Sequence, residues 1–376
     1  MSLLVLIAAL CVAFVNGAND NMKGVATLYA ADVLSYRQSL TIATLSTALG
    51  SLASLGLAAG LARAFSGKGI VPDAVLDPTL LAAVALAAAA TVLLATVLGL
   101  PVSTTHALVG GLAGAGFAAA GTGVDLYALA SAFTLPLLLG PLASLLLVAL
   151  VWRAARPLLE RGPGGAGACV CVGEEWRDAA PAAGMGGVAA LAAPAPAVAG
   201  GRRLALAVDQ PQSCAERFPR GAAAVSVRSL VDGCHVLSAG LIGFARGLND
   251  TPKVLGLLLG ASVLAPETGV VAITAAMAAG GIVGGRRVTE TLARRITEVA
   301  PAPGLAANLT TSVLVIGASQ LGLPVSTTHV STGAIVGVGH GAGRLDWGTI
   351  GGIAAAWLVT LPLGALLAVA ALWVLA

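Results

Sequence analysis

Apolar stretches alternate with short polar interruptions along most of the chain. Crossing the hydrocarbon core takes about 20 apolar residues in a helix. Residues 3–32 are apolar except for a polar break from Asn16 to Lys23. Residues 40–62 are continuous, 80–98 and 104–120 flank the polar island Ser103-Thr104-Thr105, and 127–151 are again continuous. The pattern then stops. Residues 152–228 hold nine arginines, six acidic residues and much Gly, Pro and Ala, and read as a hydrophilic linker or small extramembrane segment, low in complexity around 179–200. Beyond it the same order resumes. Residues 230–262 are interrupted at Arg246 to Lys253, and 268–285 lead to a basic amphipathic piece, 286–300. Residues 304–322 and 328–343 flank a second island, and 348–375 follow.

The two halves match in sequence as well as in pattern. Leu98-Gly99-Leu100-Pro101-Val102-Ser103-Thr104-Thr105-His106 recurs without change as Leu321-Gly322-Leu323-Pro324-Val325-Ser326-Thr327-Thr328-His329. A second shared pattern, Phe-x-x-Gly-x-Asn-Asp-x-x-Lys, runs from Phe14 to Lys23 and from Phe244 to Lys253. Gly110, Gly114 and Gly116 follow the first island as Gly333, Gly337 and Gly339 follow the second. Internal duplication of this kind is how secondary transporters are built. The expected architecture is an all-α polytopic membrane protein of two inverted repeats, each with a broken helix and a re-entrant helical hairpin. The first repeat takes residues 1–151, the second 229–376, and the linker 152–228.

Composition supports the membrane reading. The 376 residues are 57% hydrophobic and 10% charged, with a mean hydropathy of +0.94, against about 25% charged residues in soluble domains. No basic patch is interleaved with aromatics, so nucleic acid is not an expected partner; the lipid bilayer is. The N-terminal apolar run has no positive charge before Lys23, so it reads as a retained helix and not a cleaved signal. Five scattered cysteines read as unpaired thiols in a reducing loop.

Orientation follows from where the basic residues fall. If each island is the tip of a re-entrant hairpin, each half crosses three times. With the N-terminus outside, Arg37, the nine arginines of 152–228, Arg286, Arg287, Arg294, Arg295 and Arg344 face inward, while only Arg63 and Lys68 face out. The expectation is a multi-pass protein of the cell (inner) membrane with both termini outside and the central segment cytoplasmic.

The islands set the chemistry. Broken backbone persists in a membrane only where it lines a cavity or site. A helix restarting after Pro101 or Pro324 offers unpaired N–H groups at the positive end of its dipole, which suits an anion. Ser103, Thr104, Thr105, Ser326, Thr327 and Thr328 add neutral hydroxyls; alone, each Ser or Thr would read as a helix cap. Asp20 and Asp250 are carboxylates inside a membrane and therefore functional candidates. With Asn19 and Asn249 they could ligate a cation such as Na⁺, or accept a proton from an oxyanion, which points to phosphate before sulfate. They could equally pair with Lys23 and Lys253, three residues on. His106 and His329 read first as packing residues, and their repetition makes them secondary candidates for proton transfer. Arg246 stands where the first copy has Asn16 and could hold the anion or snorkel. Asn308, Thr310 and Thr311 are polar where the first copy has Ala85, Ala87 and Ala88. No nucleophile triad, metal cluster or nucleotide fingerprint is present, so neither an enzyme nor a primary pump is expected.

These residues resemble the PiT family of inorganic phosphate transporters, whose signature is Gly-x-Asn-Asp-x-x-Asn in both halves with Pro-Val-Ser-x-Thr-His after re-entrant hairpins. The resemblance covers nearly the whole chain except 152–228. It implies inverted repeats, Na⁺- or H⁺-coupled uptake of inorganic phosphate and a homodimer, with one branch similar to sulfate permeases. By position it places the anion contacts on the six Ser and Thr residues and the Asn-Asp pairs on Asn19, Asp20, Asn249 and Asp250. The chain departs from the signature at Lys23 and Lys253, where the family has Asn. A tethered ammonium could substitute for bound Na⁺, so the expectation is phosphate transport by alternating access that uses H⁺ or no ion, without a cofactor. The alternatives are a sulfate or other oxyanion permease and, from another class, a membrane receptor or sensor with 152–228 as its output.

Overall fold

A computed structural model describes residues 1–160, 167–177, 201–296, 299–342 and 345–376. The low-complexity stretch around 179–200 and Arg344 lie outside the described residues. Two compact units emerge: Met1–Arg153 with Cys234–Ala376, and Ala154–Gly233.

The larger unit is helical. α1 (Ser2–Asp20) is followed by a short α2 (Ala26–Ala30), then α3 (Tyr36–Leu57), α4 (Ala59–Ala64), α5 (Pro78–Val97) and α6 (Thr104–Ala120). α7 (Leu126–Leu129) passes through a π-turn into α8 (Leu135–Glu160). The start signals are local. Ser35 and Gln38 form a capping box on α3, and Asp77 caps α5 with Pro78 in its first turn. After the smaller unit, with its helix α9 (Pro211–Arg217), come α10 (Val227–Gly260), α11 (Pro266–Gly284), α12 (Arg286–Glu290), α13 (Pro301–Gln320), α14 (Thr327–Ala342) and α15 (Trp347–Leu375). Among the described residues eight helices are long and apolar enough to cross a membrane: α1, α3, α5, α7 with α8, α10, α11, α13 and α15.

Duplication in sequence becomes duplication in packing. A Cβ on Gly17 would stand 2.0 Å from the Met277 carbonyl oxygen, and one on Gly247 would stand 2.0 Å from that of Thr47. A Cβ on Gly280 would stand 1.8 Å from the Phe14 carbonyl oxygen, and one on Gly50 would stand 1.9 Å from that of Phe244. So α1 crosses α11 as α10 crosses α3, with glycine letting the backbones touch. Gly110 and Gly114 seat α6 on Leu361 and Ala365 of α15. Gly333 and Gly337 seat α14 on Pro141 and Leu145 of α8 in the same way.

Each island is a helix stop followed by a helix start. α5 ends with Gly99 at φ 72°, Leu100 N–H bonds to Ala95 O at 2.9 Å, and Gly99 N–H bonds to Thr96 O at 3.0 Å. α13 ends alike: Gly322 has φ 70°, and Leu323 N–H bonds to Ala318 O at 2.8 Å. This is a Gly-terminated cap, which needs the left-handed region that glycine enters freely. Four residues on, Ser103 Oγ accepts from His106 N at 3.1 Å and Ser326 Oγ accepts from His329 N at 3.3 Å, starting α6 and α14.

The breaks at the Asn-Asp pairs are not equivalent, which corrects the expectation of one broken helix per repeat. After Asp20 the chain leaves the helix for turns until Ala26, whereas α10 runs unbroken past Asn249, Asp250 and even Pro252. The first copy carries Gly24, a poor helix former, which lies so close to Ile242 that a Cβ would sit 2.6 Å from its side chain. The second copy has Val254 there and continues.

The smaller unit corrects the all-α expectation: it contains a sheet. β1 (Cys169–Arg177) is the middle strand of an antiparallel sheet, paired with β2 (Gly201–Asp209) and β3 (Ala222–Ser226). Cys171, Ala207, Cys214 and Phe218 form its core. Cys171 and Cys214 are disulfide-bonded with Cα atoms 6.1 Å apart, so the cysteines are not all free thiols; Cys11, Cys169 and Cys234 are. The pairing was hidden in the sequence because the two residues lie 43 positions apart and meet only through the fold.

Candidate functional site

The polar breaks of both repeats come together in one buried network. Asp20, Lys23, Arg246, Asp250 and Lys253 are each at most 4% exposed. The ion pairs expected three residues apart are present: Lys23 with Asp20, and Lys253 with Asp250 at 3.0 Å. Arg246 Nε stands 3.7 Å from Asp250 Oδ2 and donates instead through its other nitrogens, to Asn16 Oδ1 at 2.7 Å, Asn21 Oδ1 at 3.1 Å and Thr47 Oγ1 at 3.2 Å. Asn16 donates to Asp20 Oδ2 at 3.1 Å, Thr104 Oγ1 at 2.9 Å and, more distantly, Asp250 Oδ2 at 3.4 Å.

Each lysine ties its own repeat to the other. Lys23 donates to Val102 O at 3.1 Å, in the tip of its own repeat, and to the Thr328 hydroxyl in the opposite tip. Lys253 donates to Val325 O at 2.7 Å in its own tip and to Thr105 Oγ1 at 2.8 Å in the opposite one. The tips also meet directly. Thr328 donates to Val102 O at 2.8 Å, and Thr105 lies 3.5 Å from Val325 O.

The asparagines position the tips. Asn19 donates to Thr96 Oγ1 at 2.9 Å and Leu100 O at 3.0 Å, and accepts from Val102 N at 3.1 Å. Asn249 donates to Asp250 Oδ1 at 3.0 Å and Val325 O at 3.1 Å, and accepts from Ser319 Oγ at 3.2 Å. Thr96 and Ser319 occupy matching places before the two islands. Sequence reasoning passed over them, although a hydroxyl at the same place in both halves was a readable signal. Asn16 was seen only as the counterpart of Arg246, and Asn21 and Thr47 not at all. Their roles depend on which helices cross.

Among the predicted residues, Thr104, Thr105 and Thr328 join the network, and Thr327 is buried at the second tip. The hydroxyls of Ser103 and Ser326 act as helix caps. His106 and His329 lie against each other with ring centres 4.5 Å apart and planes inclined by 55°. His329 also stacks on Trp357 at 3.8 Å, and Trp357 Nε1 donates to Pro101 O at 3.1 Å. Asn308 lies apart from this network, bonded to Thr27 and Ser238.

Three cations and two carboxylates share this volume, so the cluster carries an excess positive charge. Unbalanced charge is costly away from water. A small anion beside the starts of α6 and α14 would neutralise it and meet the free N–H groups of two helices. Among the described residues no group of His, Cys, Asp and Glu is arranged to hold a metal ion.

Comparisons with known proteins identify the family. Residues 16–368 match the Phosphate transporter family (PHO4). The chain is 27% identical over 382 residues to a "Probable low-affinity inorganic phosphate transporter" of Mycobacterium tuberculosis (strain ATCC 25618 / H37Rv), covering 97% of this chain and 75% of that one. It is 30% identical over 423 residues to "Inorganic phosphate transporter 2-1, chloroplastic" of Arabidopsis thaliana, covering 95% and 69%. A solved structure titled "The sodium-dependent phosphate transporter" aligns with a TM-score of 0.75 at 22% identity, over 100% of this chain and 98% of that one, and shares the fold. A match spanning both duplicated motifs and nearly the whole length places this chain in the phosphate transporter family.

Proposed function

We propose that the protein is a secondary transporter that moves inorganic phosphate across the membrane by alternating access, without Na⁺. The observation that carries this is the paired lysine bridge. Each ammonium bonds the Asp of its own Asn-Asp pair and touches the opposite tip, a place a coupling cation could otherwise take. A permanent charge held there does not leave with the substrate. The Thr328–Val102 and Lys253–Thr105 bonds hold the tips together, and opening either side requires breaking them.

The inverted arrangement is supported by one contact. Thr27, which follows Asp20, bonds to His235, which precedes Asp250. Such a contact is expected where the chain runs through the two Asn-Asp pairs in opposite directions. Together with the arginine distribution this favours termini outside, the central segment cytoplasmic and the islands as re-entrant tips, although the Cys171–Cys214 disulfide of that segment is of a kind rare in a reducing compartment. In proteoliposomes, uptake of labelled phosphate should be equal with and without an inward Na⁺ gradient; uptake that requires the gradient overturns the Na⁺-free reading.

One observation keeps a second anion in view. Asp20 and Asp250 already accept from Lys23, Asn16, Lys253 and Asn249. Carboxylates so occupied are poor acceptors for the phosphate proton that sulfate lacks. Sulfate competing with phosphate at equal concentration would mark a general oxyanion permease.

A further inference from the structure

A polar cluster lies away from the charged network, where α2, α10 and α13 meet. His235, Thr27, Asn308, Ser238 and Thr311 are all buried. The Thr27 hydroxyl donates to Asn308 Oδ1 at 3.1 Å, and Asn308 Nδ2 donates to Ser238 Oγ at 3.3 Å. His235 Nε2 stands 2.9 Å from Thr27 Oγ1. A hydroxyl has one proton to give, and Thr27 gives it to Asn308, so His235 Nε2 is the donor of that pair. The neutral ring then presents Nδ1 as an acceptor, and Nδ1 is buried with no partner, as is Thr311 Oγ1 one turn beyond Asn308. Orphaned polar atoms are expensive without water, the more so within a membrane.

The matching place in the other repeat is entirely apolar. Val5 stands for His235, Ala8 for Ser238, Ala85 for Asn308, Ala88 for Thr311 and Leu257 for Thr27, and each is at most 2% exposed within the largest hydrophobic cluster, Ala8 included. Both packings are thus compatible with this fold, and one half has kept the polar set. In the inverted arrangement proposed above, the two places lie on opposite sides of the Asp20–Asp250 pair. His235 and Thr27 lie on the side reached before Asp250 and after Asp20. Val5 and Leu257 lie on the side reached before Asp20 and after Asp250. His235 is fifteen residues from Asp250 along α10, roughly 22 Å at about 1.5 Å per residue.

We infer that the Thr27–His235–Asn308–Ser238–Thr311 cluster lines a water-filled route by which the anion passes between the charged site and one face of the protein, while Val5, Ala8, Ala85, Ala88 and Leu257 keep the opposite face closed in this conformation. Water supplies the donor that His235 Nδ1 lacks and the partner that Thr311 lacks. The inference deepens the transport reading and rests on it for the identity of the solute, but not for the hydration.

Two experiments test it. In full-length protein with Cys11, Cys169 and Cys234 replaced by Ser, single cysteines are introduced as Ser238→Cys or Ala8→Cys, and as Asn308→Cys or Ala85→Cys. Reconstituted protein is then treated with a small cationic thiosulfonate. Ser238→Cys and Asn308→Cys should label at least tenfold faster than Ala8→Cys and Ala85→Cys; similar rates within each pair, or no labelling of any, overturn the inference. The second variant gives the polar route the residues its own fold accepts at the matching place: His235→Val, Ser238→Ala, Asn308→Ala and Thr311→Ala together. Phosphate uptake should fall at least tenfold with phosphate affinity in detergent unchanged. Uptake within twofold of the unaltered protein overturns the inference, and the labelling comparison decides should this variant fail to fold. If the unaltered protein carries no phosphate, the transport reading fails while the labelling result still decides the route.

Discussion

Lys253 Nζ donates to Thr105 Oγ1 at 2.8 Å, linking the second repeat's Asn-Asp helix to the first repeat's tip. Lys23 makes the matching bond to Thr328. The lysines are therefore at once the charge partners of Asp20 and Asp250 and the ties between repeats.

Removing one lysine should destabilise more than removing the pair. Lys253→Met removes the ammonium bonded directly to Asp250 and leaves Arg246 Nε, 3.7 Å away, as its remaining cationic neighbour; breaking a buried ion pair by removing one partner costs about 3–5 kcal/mol. A lowered Tm is expected in thermal unfolding in detergent. Adding Asp250→Asn to Lys253→Met should restore most of the Tm while uptake stays abolished.

Replacing both lysines by the family's residue should change coupling. Lys23→Asn with Lys253→Asn removes the tethered cations from the two carboxylates. Uptake by the double variant is expected to become dependent on an inward Na⁺ gradient. An inactive variant with normal Tm and no Na⁺ binding would count against cation substitution.

The tip hydroxyls should separate into two classes. Ser103→Ala removes a helix cap, which costs about 1 kcal/mol, and should lower Tm modestly. Thr328→Val removes the bond to Val102 and the acceptor of Lys23. It should change the phosphate KM and turnover by more than its effect on Tm predicts.

Asp346 lies outside the membrane helices and caps α15, and hydrogen bonds from the Thr349 backbone and hydroxyl hold its carboxyl below the usual value. A depressed folded-state pKa contributes stability above the ordinary carboxylate value that is lost as pH falls through the folded one. Asp346→Asn should therefore lower Tm at neutral pH and have less effect in acid, read as the pH dependence of the Tm difference.

The Cys171–Cys214 bond should be visible on gels. Denatured protein should take up two more maleimide–polyethylene glycol chains after reduction than before it. Cys171→Ser with Cys214→Ser should leave phosphate uptake unchanged, since both residues sit in the core of the smaller unit.

Hydrophobic pattern and duplicated motifs by themselves determined the membrane helices, the two halves and the residues of the charged network. Such features are local: an apolar run of sufficient length has few other places to go, and Leu-Gly-Leu-Pro-Val-Ser encodes a helix stop and start within six residues. The i,i+3 pairing of Lys23 with Asp20 is local too. Tertiary structure decided the rest. The binding of Lys23 to Thr328 and of Arg246 to Asn16 joins residues from opposite halves, and no spacing along the chain specifies which helix faces which. The continuity of α10 through Pro252 against the break after Asp20 depends on packing around Gly24. The disulfide and the three-stranded sheet were masked by a glycine- and alanine-rich composition with little periodicity. The contrast between His235 and Val5 was open in the sequence, but the contact of His235 with Thr27 was decided by the tertiary structure.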